Sequence, residues 1–428
     1  MFTPFISVGI DAGSDFSYMS LALPNQTFID KPFKIVHANV NSLERAVSTI
    51  KEAEELHSMK VRIVMESTGM YHYPLFCYLR DKGLCVAVIN PIISKNNTNM
   101  NIRKVSNDKF DSKKLALIGL KPDLKISIIP PEPVLDLRNL VREYYNLMDT
   151  RVAYVLKLSG ILKVSFPHYA GIFSKITGMT SLALLEKFQS PADFLAAGED
   201  EIVGIIQKTA RFGEAYAKSK YQAIIEAAKC ANVFGHFISS NAVQIRLCVS
   251  FIKQYDKEIS MILSLMHELV EKHADAEFVK QIRLIESIRG AGFLTAATLV
   301  AEIGDFSAFK SPKQLFAYFG LDPAVKQSGK FVGTRIKMSK RGSNIARRAI
   351  HRIALVSIGV TRKGAANNPV LRAAYLEKCK SKPKMIALGV IMHKVCSIVF
   401  AILRDNKEFR FITQEEHVAN YLAGKVAS

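Results

Sequence analysis

The chain has 428 residues, 49% of them apolar, enough for two or three domains with substantial cores. Lys and Arg number 58 against 38 Asp and Glu, giving a formal charge of +20 and an isoelectric point near 9.6. That surplus predicts a polyanionic partner, nucleic acid before an anionic membrane, while the lack of any run near the ~20 apolar residues of a membrane span argues against a membrane protein.

The N-terminal MFTPFISVGID has neither a basic leader region nor a cleavage site and runs straight into a strand pattern. Residues 5–23, FISVGIDAGSDFSYMSLAL, read as two short strands around a turn, and residues 28–37 supply a third. NSLERAVSTIKEAEEL has helical periodicity, VRIVME (61–66) is a buried strand, and a helix with an aromatic face follows. LCVAVINP (84–91) is a further strand, stopped by proline. Hairpin strands followed by alternating strands and helices predict a mixed α/β domain over residues 1–125, with IIPPEP (128–133) as a linker or sharp turn.

Residues 126–275 are expected to be helical. Leu137, Val141, Tyr144, Met148, Val155, Leu158 and Leu162 step by fours and threes with Arg151 interrupting, and Cys248, Ile252, Tyr255, Ile259, Ile262, Met266 and Leu269 repeat the spacing. The pattern fits a coiled-coil seam, within or between molecules, or a long antiparallel helical hairpin. Residues 276–428 form a mainly helical third region. Between Lys326 and Lys380 there are fourteen Lys or Arg and one acid, Glu377. The last helix, KMIALGVIMHKVCSIVFAILR, is apolar on more than one face and should be largely buried. The six cysteines are scattered without a CxxC pair, which predicts reduced thiols in the cytoplasm and no cysteine metal site.

Four acids stand out. Asp11 ends the first strand pattern, Glu66 ends VRIVME, and Asp108 and Asp111 lie in NDKFDSKKLA, whose i, i+3 spacing puts them on one helix face. Carboxylates held that close repel unless a cation sits between them, and paired Mg²⁺ ions suit phosphodiester chemistry. Each acid also has a plainer explanation: Asp11 in a turn, Glu66 capping a helix, Asp108 and Asp111 in a solvated first turn favoured by the helix dipole.

VGIDAGSDFSYMSLAL, IVMESTGMYHYPLFCYLRDKGLCVAVINP and NDKFDSKKLA resemble the DEDD domain of the insertion-sequence-110 family of transposases, and the stretch from LIESIRGAGF to NIARRAI resembles that family's second domain. The likeness covers roughly 1–125 and 280–400. Ser106–Asp108 stands where the family usually has Lys-Thr-Asp, with the acid kept. The resemblance implies a RuvC-like, RNase H-type N-terminal fold with Asp11, Glu66, Asp108 and Asp111 as the Mg²⁺-binding catalytic quartet.

AVKQSGKFVG (324–333) sets Ser328 beside Gly329 in a strongly basic loop. A loop serine is ordinarily a turn residue or a phosphate-binding hydroxyl, and as a nucleophile it needs cations around the phosphate it attacks. The resemblance implies that Ser328 is that nucleophile, forming a phosphoserine link to DNA and freeing a 3′-hydroxyl. It also implies a homo-oligomer in which acids and serine come from different protomers, and a structured noncoding RNA that directs the enzyme to its DNA; the spacing of the Cys248–Leu269 seam makes it a candidate to help hold such an oligomer. One glycine follows the serine where relatives often have two.

Lys326, Lys330, Arg335, Lys337, Lys340, Arg341, Arg347 and Arg348 are the expected phosphate contacts. IRGAGFLTAATLVAEIG resembles a helix-hairpin-helix, which offers backbone N–H groups to a phosphate, and equally reads as a core helix-turn-helix. The expected function is thus an Mg²⁺-dependent DNA transposase of a mobile element in the prokaryotic cytoplasm, near the nucleoid. The alternatives are a RuvC-type Holliday-junction nuclease and a non-catalytic nucleic-acid-binding protein. GIDAGSDFS also suggests an actin-like sugar kinase, whose second phosphate loop and adenosine motif are missing from the sequence.

Overall fold

A computed structural model of the chain describes residues 4–67, 71–89, 91, 107–122, 124, 129–209, 213–323, 327–328, 331–332, 338–411 and 419. The chain divides into two compact units, Met1–Pro130 and Pro131–Ser428.

The first unit comprises β1 (Phe5–Ala12), β2 (Phe16–Ala22), β3 (Phe33–Val36), α1 (Val40–His57), β4 (Lys60–Glu66), α2 (His72–Asp81), β5 (Val86–Ile89) and α3 (Asp108–Gly119). The sheet order is β3-β2-β1-β4-β5. β1, β2 and β3 pair antiparallel, whereas β1–β4 and β4–β5 are parallel. This is the RNase H-type order that the sequence leads one to expect. Its physical basis is alternation along β1. Ile6, Val8 and Ile10 point into one core with Ile50 of α1 and Leu79 of α2, while the opposite face of the sheet, through Val64, Ala87 and Ile89, packs on Leu115 and Ile118 of α3.

The second unit is helical. After α4 (Glu132–Ser165) come α5 (Tyr169–Ile172), α6 (Met179–Lys187), α7 (Pro191–Ala196), α8 (Glu199–Thr209), α9 (Glu214–Phe234) and α10 (Ser239–Lys272). The chain continues through α11 (Glu277–Glu286), α12 (Phe293–Ile303), α13 (Pro312–Tyr318), the short hairpin β6 (Gln327–Ser328) and β7 (Phe331–Val332), α14 (Asn344–Ser357), α15 (Pro369–Cys379) and α16 (Lys384–Asp405). α4 and α10 lie against each other in antiparallel fashion. Leu137 and Val141 share a core with Ile262 and Met266, and Leu158 and Leu162 share another with Cys248 and Ile252. Arg151, the interruption in the first seam, donates to Asp256 at 2.6 and 3.0 Å. An apolar side chain would have packed there; the ion pair instead fixes the register of the two helices.

Three expectations change. The Cys248–Leu269 seam is closed within the chain: Cys248, Ile252, Ile259, Ile262 and Met266 are all buried against the chain's own helices. It is therefore not a free surface for a second copy. A break at residue 275 is also absent as a unit boundary, because α4 and α10 each serve the core that contains α11–α16 as well as the core that contains α5–α9. α16 is long and apolar enough by composition to cross a membrane, contrary to the sequence reading. Its Leu388, Ile391, Val395 and Val399 are in the core, and it packs on α11, α13, α14 and α15. Glu302 of α12, with a side chain 2% exposed, is held by Arg142 at 2.9 and 3.3 Å.

Candidate active-site residues

In the first unit the geometry of the acids is set by a glycine. A Cβ on Gly9 would stand 2.1 Å from the backbone of Ser112 and of Ala116, and one on Gly119 would stand 2.1 Å from Ser7 Oγ. Bare backbone therefore lets α3 sit directly on β1, running opposite to it. Ser20 and Ser112 hydroxyls, 2.8 Å apart, join α3 to β2 as well. Asp11 lies two residues beyond Gly9 on the same side of the strand. The first turn of α3, with Asp108 and Asp111, is thereby brought to the same end of the sheet. Asn107 caps this helix by accepting from Phe110 N at 2.8 Å, and both acids then lie at the positive end of the helix dipole. Glu66 ends β4, one step past the Ile10–Met65 pair, so it neighbours Asp11 across the parallel strands.

An alanine at Gly9 forces α3 off its seat. Gly9→Ala is expected to cost ~3 kcal/mol or more in a denaturant titration, the upper end for overpacking because the clash is with backbone. A variant as stable as the parent would mean that Gly9 does not set the helix's position.

The consequence for charge is direct. Burial first, then the charges of Asp111, Asp108 and Glu66, push the Asp11 carboxyl up to about 6. Among the described residues no three Asp, Glu, His or Cys side chains converge closely enough to ligate one ion. The acids share an electrostatic field, since the charges of Asp111, Asp108 and Glu66 all reach Asp11. All four donors are oxygens, the type that Mg²⁺ prefers.

In the second unit, Ser328 pairs with Phe331 across the β6–β7 hairpin. The side chain of Ser328 and all of Lys326, Lys330, Arg335 and Lys337 lie outside the described residues. Lys340 and Arg341 are exposed in the approach to α14, where Gly342 allows the chain to pass Tyr318 and Gly320 closely. Ser343 caps α14 by accepting from Ala346 N at 3.1 Å. Two of the predicted phosphate contacts have partners within the chain: Arg347 donates to the Phe319 carbonyl at 2.9 Å, and Arg348 grips Asp149 at 2.8 and 2.9 Å. Arg352, one turn further along α14 and also exposed, was not singled out in the sequence; its i+4 spacing from Arg348 was the available signal.

Residues 8–167 match a family model for the DEDD transposases of IS110 elements, described as a transposase. Residues 282–375 match the model described as the transposase IS116/IS110/IS902 family. The pilin gene-inverting protein of Moraxella bovis is 30% identical over 37% of this chain and 45% of its own. The 42 kDa protein of insertion element IS900 from Mycobacterium paratuberculosis is 28% identical over 53% of each chain. The 44.8 kDa protein of insertion element IS116 from Streptomyces clavuligerus is 24% identical over 77% of this chain and 78% of its own. The chain thus spans about half the length of the first two relatives. Among solved structures, T. thermophilus RuvC in complex with Holliday junction substrate aligns with 26% of this chain and 90% of its own at 10% identity and a TM-score of 0.20.

Proposed function

The chain belongs to the IS116/IS110/IS902 family of transposases, and from that premise we propose that it cuts and rejoins DNA strands as the recombinase of a mobile element. Ser328 is the nucleophile. Its Oγ bonds to a backbone phosphorus, the 3′ oxygen leaves, and the serine proton ends on that oxygen as a hydroxyl. The phosphoserine link keeps the energy of the broken bond, so resealing by another 3′-hydroxyl needs no nucleotide cofactor. Asp11, Glu66, Asp108 and Asp111 would hold Mg²⁺, which would supply charge stabilisation to the phosphoryl transfer.

The observation that carries this reading is the gathering of four carboxylates at one sheet end, with Asp11 holding its proton to about 6. Burial raises that carboxyl most and the neighbouring acids add to it, and a bound cation relieves both by stabilising the charged form. Lys326, Lys330, Arg335, Lys337, Lys340 and Arg341 contact phosphates, and Arg347 and Arg348 flank them. A structured noncoding RNA sets the choice of DNA, and a homo-oligomer joins the serine of one copy to the acids of another; both are carried over from the family likeness, as is action at the nucleoid in the cytoplasm.

The test is a trapping assay with element-end DNA and Mg²⁺, in which a protein–DNA adduct should survive denaturation. Affinity for DNA should also fall by orders of magnitude between ~50 and ~200 mM salt, as several phosphate contacts require. A flat salt profile in an anisotropy titration would assign the +20 charge to some other partner.

A further inference from the structure

The second unit contains a cavity of about 1080 Å³, somewhat above the ~300–1,000 Å³ range usual for small-ligand sites. Its walls come from the middle of α4, the turn into α12, α14 with its approach, and the start of α16. Tyr144, Tyr145, Phe293, Met385 and Met392 make an aromatic and pliable apolar wall. Lys340, Arg347, Arg348 and Arg352 line it too, and among the described residues no Asp or Glu does. Arg348 lies over the Tyr145 ring at 4.6 Å while paired with Asp149. The partner of Arg347 is a carbonyl, and among the described residues no carboxylate pairs with it.

Two glycines in this wall are not required by packing. Gly389 sits inside α16, where glycine is among the least favourable residues, yet a Cβ there would meet no atom within 4 Å. Gly292, the N-cap of α12, has φ −95° and ψ 172°, backbone that any residue adopts, and a Cβ there also meets nothing. Gly290 is different: its φ of +106° and its contacts with Val356 and Ser357 explain it. Bare backbone facing a cavity, where packing does not ask for it, indicates close approach by something outside the chain. Gly292 also brings no side chain to the start of α12.

We propose that this cavity receives one unstacked nucleotide of a bound nucleic-acid strand. The base lies against the aromatic and methionine wall, with Gly389 giving room for its plane. The phosphate is held by Arg347, Arg352 and Lys340. The inference rests on the nucleic-acid reading above and narrows it, because a duplex keeps its bases stacked and offers such a site only phosphates. A splayed nucleotide offers both a planar face and a negative charge, as aromatic and guanidinium surfaces require.

The experiment uses the full-length chain with Gly389→Ala, Gly292→Ala and Arg352→Gln. Fluorescence anisotropy measures binding to single-stranded DNA and RNA of about 12 nucleotides, within the usual site sizes of single-strand binders, and to a duplex of the same sequence. Gly389→Ala should melt at or above the parent's temperature, Gly292→Ala within a few degrees of it because alanine is the poorer N-cap, and both should bind duplex as the parent does. They should bind a single strand roughly five- to one-hundred-fold more weakly, the range for loss of one stacked base. Arg352→Gln should weaken the same strand. Whichever strand is affected, DNA or RNA, identifies the source of the nucleotide. Unchanged single-strand affinity in both glycine variants, or an equal loss on duplex, overturns the assignment. If duplex binding and strand transfer persist in that case, the recombinase reading stands without the cavity. If the parent binds none of the three probes, both fall together.

Discussion

Asp11→Asn is expected to abolish Mg²⁺-dependent strand cleavage and, in the same molecule, to raise the melting temperature of the metal-free protein at pH 7–8. The sign follows from the shift. Asp11 moves from an ordinary 3.8 to about 6, so the folded state holds this proton more tightly than the unfolded chain does. Its contribution to stability is complete below pH 3.8 and is lost as pH rises through about 6. At neutral pH the folded protein carries a carboxylate that burial opposes first and its acidic neighbours second. Each pH unit is ~1.4 kcal/mol, and because the carboxyl remains partly in water, screening reduces the net cost to roughly 1 kcal/mol. Relief of that cost should raise the melting temperature by ~2–4 °C. Mg²⁺ should stabilise the parent protein and leave the variant unmoved, and the parent's affinity for Mg²⁺ should drop as pH falls below about 6. Scanning calorimetry with and without Mg²⁺ at pH 5 and pH 8 reads all three. A variant less stable at pH 8 that still cuts DNA would dissolve the proposed cluster.

Ser328→Ala should leave DNA affinity near the parent's and eliminate the denaturation-resistant adduct. Strand transfer should fall by at least ~10⁴-fold, since removing a nucleophile removes the covalent path and not merely a contact. Ser328→Cys keeps a nucleophile and should recover a slow adduct through sulfur. The pair of variants separates chemistry from folding: a misfolded loop would lose both adducts, and a hydrolytic nuclease of the RuvC kind would cut equally well with alanine. Gel analysis of denatured reactions on end-labelled DNA gives the outcome, and undiminished strand transfer in the alanine protein would favour the nuclease.

The first unit was legible because its signals are local. Alternation in FISVGIDA and the acid at the end of VRIVME depend on residues within one strand, and i, i+3 spacing put Asp108 and Asp111 on one helix face. The reason why the acids meet was not legible. Gly9 reads as an ordinary strand glycine until α3 is laid on it, because that contact joins residues about a hundred positions apart. In the second unit the spacing of apolar residues in α4 and α10 gave two stripes without saying what covers them; the register came from Arg151 and Asp256, which looked like an interruption. The cavity left no linear trace. Tyr144, Gly292, Arg352 and Gly389 share a wall only through tertiary packing, and nothing in the sequence separates a glycine needed for φ, such as Gly290, from one that leaves room, such as Gly292.

α4 and α10 have a mechanical consequence. Each has 34 residues, about 50 Å at ~1.5 Å per residue, and each is anchored in one core at one end and in the other core at the opposite end. The pair is a double strut of fixed length and fixed phase. Adding one residue to either rod between its anchors would rotate what lies beyond by ~100° and break the Arg151–Asp256 bolt at its centre. The spacing between the two helical lobes is therefore built into the molecule rather than adjustable, and a load on one lobe passes undamped to the other.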